Sequence, residues 1–175
     1  MGGVTLQAAA SHEGIWARVL VDLAYGLGWR RGELLGLCVK DVNIADGTLS
    51  LETSKNGEPR VCPLSPEVAM MLQQLISGRA AEDKIFPKVD QFRKAWNRIR
   101  KAAGVKGLFH SLRRTSARNK RDAGVDSSII LAMQGWKTEA MMRRYAIVDL
   151  NNQRDALTAL DEFGKNSESR QTGNA

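Results

Sequence analysis

One stretch restricts the fold more than any other. Residues 48–64, TLSLETSKNGEPRVCPL, set two short alternating runs on either side of Asn56-Gly57. Alternation sends successive side chains to opposite faces of a strand, and Asn-Gly accepts the positive φ angles of a tight hairpin turn. The stretch predicts a β-hairpin. Pro59 marks an edge strand or a bulge beside the turn, because proline has no N–H to give to a ladder. The rest of the chain has the period of a helix. Ile15, Val19, Leu23 and Leu27 recur every four residues, with Trp16, Leu20 and Ala24 beside them. After the break at GLGW, the segment RRGELLGL (30–37) reads as a short second helix. Ser65-Pro66-Glu67 opens a third, with serine as its cap, and Gly78 ends it. Its buried stripe is Val68, Met71, Leu72, Leu75 and Ile76. A helix over 89–103 buries Phe92, Trp96 and Ile99 and turns Arg93, Lys94, Arg98, Arg100 and Lys101 outward. Further helices are expected from His110 to Asp122, from Asp126 to Gly135, over 138–146 and over 150–162. The predicted class is mainly α with one small antiparallel β-sheet (α+β). One domain over 11–163 is expected between a loose start, 1–10, and a disordered polar tail, 164–175.

Charge narrows the partner. The 175 residues carry a formal net charge of +7, and the pI is about 9.7. That balance favours a polyanion, nucleic acid first and a membrane surface second. No apolar run approaches membrane-spanning length, and the first residues lack the pattern of a signal peptide, so cytoplasmic residence is expected. Cys38 and Cys62 have no metal-ligand spacing and read as reduced, buried residues.

The chemistry that fits a polyanion with a phosphodiester backbone needs few residue types. A tyrosine can attack phosphorus if its phenol is deprotonated as it attacks. The charge on the non-bridging oxygens calls for arginine, whose fork meets two oxygens at once. A proton must reach the departing oxygen, which suits histidine or lysine. Of the two tyrosines, Tyr25 lies near the end of an apolar helix and reads as structural; Tyr145 follows MMRR, and a lone exposed tyrosine by itself does not point to a nucleophile. Arg30, Lys55, His110 and Arg113 are the candidate cations. His110 and Arg113 fall one helical turn apart, on one face. Taken singly, each of the four reads better as ordinary surface or hairpin polarity. Arg30 stands out, because a cation at a helix start is unfavourable beside the helix dipole unless an anion is bound.

The joint order of GWRRGELLGL, SKNGEPR, HSLRR and GWKTEAMMRRY resembles the catalytic domain of the tyrosine recombinase (phage integrase) family, over about residues 11–162. The family's first arginine, followed three residues later by a glutamate, falls on Arg30 and Glu33. Its hairpin lysine falls on Lys55. Its His-x-x-Arg motif falls on His110 and Arg113. Its nucleophile, nine residues after a Gly-His pair, falls on Tyr145. Two departures stand out: Trp136 occupies the second histidine's place, and Ser111 replaces a common aspartate. An indole N–H can donate a hydrogen bond but cannot carry a proton.

The resemblance implies strand cleavage and rejoining through a covalent 3′-phosphotyrosine, with neither metal nor other cofactor. In that scheme Tyr145 attacks and Arg30 and Arg113 clamp the non-bridging oxygens. His110 assists proton transfer to or from the tyrosine or donates to the phosphate, Lys55 protonates the departing 5′ oxygen, and Trp136 donates to the phosphate. Glu33 supports the site from behind. Arg31 is assigned to the DNA backbone, and Arg114, Arg118 and Lys120 either hold flanking phosphates of double-stranded DNA or face water; such phosphate contacts position a duplex without reading it. The resemblance also implies a homotetramer when two sites are synapsed, a monomer in isolation, and a separate N-terminal DNA-clamping domain that the chain lacks. Three rivals carry distinct expectations: a non-catalytic DNA-binding domain of the same fold, a type IB topoisomerase, and a metal-dependent nuclease.

Overall fold

The four-residue recurrence at the start of the chain forms helix α1 (Ile15–Gly26), which lies at the centre of the fold. Ala17, Val19, Leu20, Val21, Leu23 and Ala24 are all buried, so more of the helix is covered than the one broad face its sequence predicts. The structure is a computed structural model, and it describes residues 13–52, 59–143, 154, 157, 158, 160 and 161. A tight turn leads from α1 to the short α2 (Arg31–Gly36), where Leu34 and Leu35 face inward. Burying a leucine of this kind stabilises a fold by about 1.5–3 kcal/mol, so α1 and α2 anchor the core between them.

The predicted hairpin is present, with one addition. Strands β2 (Thr48–Leu51) and β3 (Arg60–Pro63) pair antiparallel, and the two-residue β1 (Val42–Asn43) joins the other side of β2. β3 is an edge strand, as Pro59 foretells. Leu49 opposes Cys62 and Leu51 opposes Arg60 in the register. Leu49, Leu51 and Cys62 are buried while Val61 is exposed, so residues 60 and 62 share the inward face. Lys55, predicted for the hairpin tip, lies outside the described residues.

Helix α3 (Pro66–Ile76) begins as expected, with the Ser65 hydroxyl accepting the Val68 N–H at 3.4 Å. It packs on α1 and buries Leu72 fully. Helix α4 (Val89–Ala102) buries Phe92, Ala95, Trp96 and Ile99. Phe109 meets Phe92 and Trp96 edge-on, with ring centroids 4.9 and 5.1 Å apart. Edge-to-face pairs add about 0.5–1.5 kcal/mol each beyond area burial, and here they fix the residue just before His110. Helix α5 (Ser111–Asp122) packs on α1, and the Asn119 side-chain amide donates to the Tyr25 hydroxyl at 2.6 Å. Tyr25 is therefore structural, as its place suggests. Asp126 caps α6 (Ser127–Gln134), which closes at Gly135 with φ 62° and ψ 47°. Helix α7 (Glu139–Arg143) follows, and Tyr145 lies outside the described residues.

Backbone contacts divide the chain into two units, Met1–Tyr145 and Ala146–Ala175, where the sequence predicts one domain over 11–163. In the second, Arg154, Leu157, Thr158, Leu160 and Asp161 are helical, and the two leucines are exposed. Both cysteines are free and buried. Among the described residues no helix is long and apolar enough to cross a membrane.

Candidate active site

Arg30 stands at the N-cap of α2, and its cost beside the helix dipole is offset from within. The Glu33 carboxylate accepts the Arg30 backbone N–H at 2.7 Å and its guanidinium at 2.8 Å. One side chain thus caps the helix and orients the arginine. Burial alone pushes the Glu33 carboxyl up. The bonds from Arg30 and the charges of Arg60 and Arg30 outweigh it and hold the group below the usual carboxylate range.

Arg113 reaches the same place from α5. It is only 4% exposed. Its Nη1 donates to the Gly28 carbonyl at 2.6 Å, two residues before Arg30. Its guanidinium lies over the Trp136 ring, 5.1 Å from the centroid. Trp136 is itself buried. The indole forms a floor beneath the arginine, a packing role that the sequence pattern does not disclose.

Gly28 makes this possible. Its φ is +70°, and an added Cβ would meet Gln134 side-chain atoms at 2.7 Å. Gln134 is fully buried and cannot swing aside. Gly28→Ala is expected to lower stability by about 2–4 kcal/mol, from a strained backbone and a forced shift of Gln134. Urea unfolding checks this as a lower midpoint at unchanged slope.

His110 sits at the N-cap of α5, on the rim of a hollow of about 630 Å³. Arg30, Arg31, Phe92, Arg93 and Trp96 line the same hollow. His110 remains exposed. Even so, partial burial first, then the charges of Arg113, Arg114, Arg30 and Arg31, hold its imidazole below the usual 6.5. The ring is therefore neutral at pH 7 and able to accept a proton. Folding lowers this pKa, so the unfolded chain binds the extra proton and His110 opposes stability as pH falls below 6.5. With two histidines in the chain, proton NMR is expected to show one resonance titrating below 6.5. Its midpoint should rise when duplex DNA is added, because phosphates offset the surrounding guanidiniums.

The predicted backbone contacts divide. Arg31, Arg114 and Arg118 are exposed. Lys120 is not placed that way. Its ammonium turns inward, donating to the Gly26 carbonyl and to the Ser116 hydroxyl, the latter at 2.6 Å. Burial holds it down to about 8. It ties α5 to the end of α1 and is a structural cation in this fold.

Sequence reading missed Arg60. Its side chain is 7% exposed, its Nη2 donates to Glu33 at 2.7 Å, and its guanidinium stacks over Trp29 at 4.8 Å. The signal was available: Arg60 lies two residues before Cys62 in an alternating strand, on the face that ought to be apolar.

Residues 4–152 match the sequence profile of the phage integrase family. The chain belongs to that family. Among curated relatives, the tyrosine recombinase XerA of Saccharolobus solfataricus is 29% identical over 78% of this chain and 48% of its own length. The integrase of Escherichia phage HK022 is 30% identical over 81% of this chain and 44% of its own. The chain thus spans about half the length of these relatives. Two solved structures share the fold at 20% identity. A XerA recombinase superposes with a TM-score of 0.74 over 90% of this chain and 62% of its own. The catalytic domain of the bacteriophage HP1 integrase does so with 0.68 over 88% of each chain.

Proposed function

We propose that this protein cleaves and rejoins double-stranded DNA as a tyrosine-type site-specific recombinase. The observation that carries the reading is that Arg30 and His110 line one open hollow, while Arg113 reaches from α5 to the Gly28 carbonyl two residues before Arg30. Two guanidiniums and a neutral imidazole in one neighbourhood suit a phosphodiester that gains charge as it is attacked. In the reaction, the Tyr145 oxygen bonds to phosphorus as its proton passes to His110. The bond to the 5′ oxygen breaks, and Lys55 supplies the proton that oxygen needs. Arg30 and Arg113 hold the non-bridging oxygens, and the Trp136 N–H adds a donor. The phosphotyrosine conserves the bond's energy, so a 5′ hydroxyl can reverse the step and no cofactor or metal takes part.

Arg31, Arg114 and Arg118 position the duplex through its phosphates. A similar lambda integrase structure, 23% identical, is a dimer bound to a core site. For this chain the proposal extends to a homotetramer on two duplexes and a monomer without DNA, acting in the cytoplasm. The test is incubation with a pool of nicked duplexes of random sequence in excess EDTA, followed by denaturation. A protein band shifted by covalent DNA, returned to place by phosphodiesterase digestion, supports the reading. Cleavage that appears only with a divalent metal, and leaves no adduct, overturns it in favour of a nuclease. An adduct with relaxation of any supercoiled plasmid, without paired sites, moves the assignment to a type IB topoisomerase.

A further inference from the structure

We infer that Arg60 is a positioning residue for strand cleavage: it holds Glu33, and through Glu33 the guanidinium of Arg30, in register with the Gly135–Trp136 turn beneath Arg113. The inference rests on the proposed recombinase chemistry.

Four observations on one side chain support it. Glu33 Oε2 takes bonds from both the Arg30 N–H and Arg60 Nη2, each at 2.7 Å, while Oε1 takes Arg30 Nη1 at 2.8 Å. Both members of the Arg60–Glu33 pair are buried, with side chains 7% and 8% exposed. The Arg60 guanidinium also lies over Trp29, whose indole N–H donates to the Met133 carbonyl at 2.9 Å. Arg60 thereby packs on Trp29 in the loop entering α2, and Trp29 in turn binds the end of α6. Lastly, a Cβ on Gly135 would stand 2.4 Å from Arg60 Nη1. Gly135 needs to be glycine for its φ of 62° and again for room.

Among the described residues, Arg60 Nε and Nη1 are buried and have no acceptor. A buried guanidinium that leaves two donors unused is costly to keep. A core that needed only filling at this face, beside Cys62, would hold an apolar side chain. What an apolar side chain cannot do is share a carboxylate with Arg30. Without Arg60, Glu33 loses one of its two cations while remaining buried. It then takes up a proton at a higher pH than before, and a neutral carboxyl holds the Arg30 guanidinium less strongly at Oε1.

The experiment is a double-mutant cycle on the full chain with R60M, E33Q and the pair. It is read as the rate of adduct formation on the nicked random-sequence pool at saturating protein, from pH 5 to 9. R60M is expected to slow adduct formation about tenfold at pH 7, the low end for a residue that orients a site ligand. Binding of the same DNA should stay within about twofold, since Arg60 touches no solvent-facing phosphate site. Its acid limb should move to higher pH. R60K, which keeps a cation beside Glu33, should recover part of the rate and return the acid limb toward that of the parent. In the E33Q background R60M should add nothing further, because both act through one carboxylate. Additive losses with an unmoved acid limb would mean that Arg60 only supports the fold, and would overturn the inference. If R60M does not fold, R60K and R60Q replace it in the cycle, with the same criterion. Absence of an adduct with the parent protein would instead count against the recombinase reading itself.

Discussion

Replacing Tyr145 by phenylalanine is expected to abolish the covalent adduct and to leave DNA retention unchanged. The substitution removes one oxygen and almost nothing else. The ring and its packing volume stay, so any loss reads as chemistry rather than as misfolding. Retention should survive because affinity for a duplex comes from cations that displace counterions, and this chain has 26 lysines and arginines against 19 acidic residues. Only one other phenol exists to take over, that of Tyr25. Its hydroxyl accepts a hydrogen bond from Asn119 at 2.6 Å between α1 and α5. The outcome is therefore close to binary. Tryptic mass mapping of the parent adduct should place the nucleotide on the peptide that contains Tyr145, and a filter-binding assay should give the same affinity for both proteins. An adduct that persists in the phenylalanine variant would remove Tyr145 as the nucleophile.

Arg113→Lys carries the second largest expected loss. Lysine keeps the charge, so a purely electrostatic role would tolerate it. The geometry here asks for more. One nitrogen of Arg113 is already committed to the Gly28 carbonyl at 2.6 Å, and the guanidinium plane lies over Trp136. An ammonium at the end of a flexible stem cannot satisfy that carbonyl, stack on an indole and still present a fork to two oxygens. Losing one preorganised donor of this type costs about 10²–10³ in rate. Adduct formation should fall by about that factor or more. A smaller loss of stability, about 1–3 kcal/mol, should accompany it from the unmet Gly28 carbonyl. Single-turnover adduct formation measures the first and urea unfolding the second. A lysine variant within threefold of the parent rate would show that charge alone suffices.

Much of this was legible before any coordinates. The helices of the main unit begin and end close to where periodicity, Ser65 and Asp126 put them, because caps and apolar stripes are local properties. The hairpin followed from Asn56-Gly57 and alternation. The positions of Arg30, Glu33, His110 and Arg113 came from a resemblance; in the fold Glu33 holds Arg30, Arg30 and His110 line one hollow, and Arg113 binds the Gly28 carbonyl. What failed to show was what one element lies against. Lys120 has the same helical surroundings as Arg118, and nothing local says that it meets the Gly26 carbonyl while Arg118 meets solvent. Strand β1 has two residues, too few to leave a periodic trace. The near-complete burial of α1 depends on three neighbours contributed by later parts of the chain. Arg60 is different: alternation placed it on the inward face, but an inward arginine has meaning only once Glu33 is known to stand opposite.

The hydrogen bond from Arg113 to Gly28 joins residues 85 apart in sequence, and the bond from Trp29 to Met133 joins residues 104 apart. Contacts of such long span close only after the chain between them has ordered, since each must first offset the entropy of a large loop. A ribosome-bound or half-unfolded chain therefore carries Arg30, His110 and Arg113 without their folded arrangement. On the proposed reading, cleavage would wait for the complete tertiary fold, which then acts as a safety catch on the chemistry.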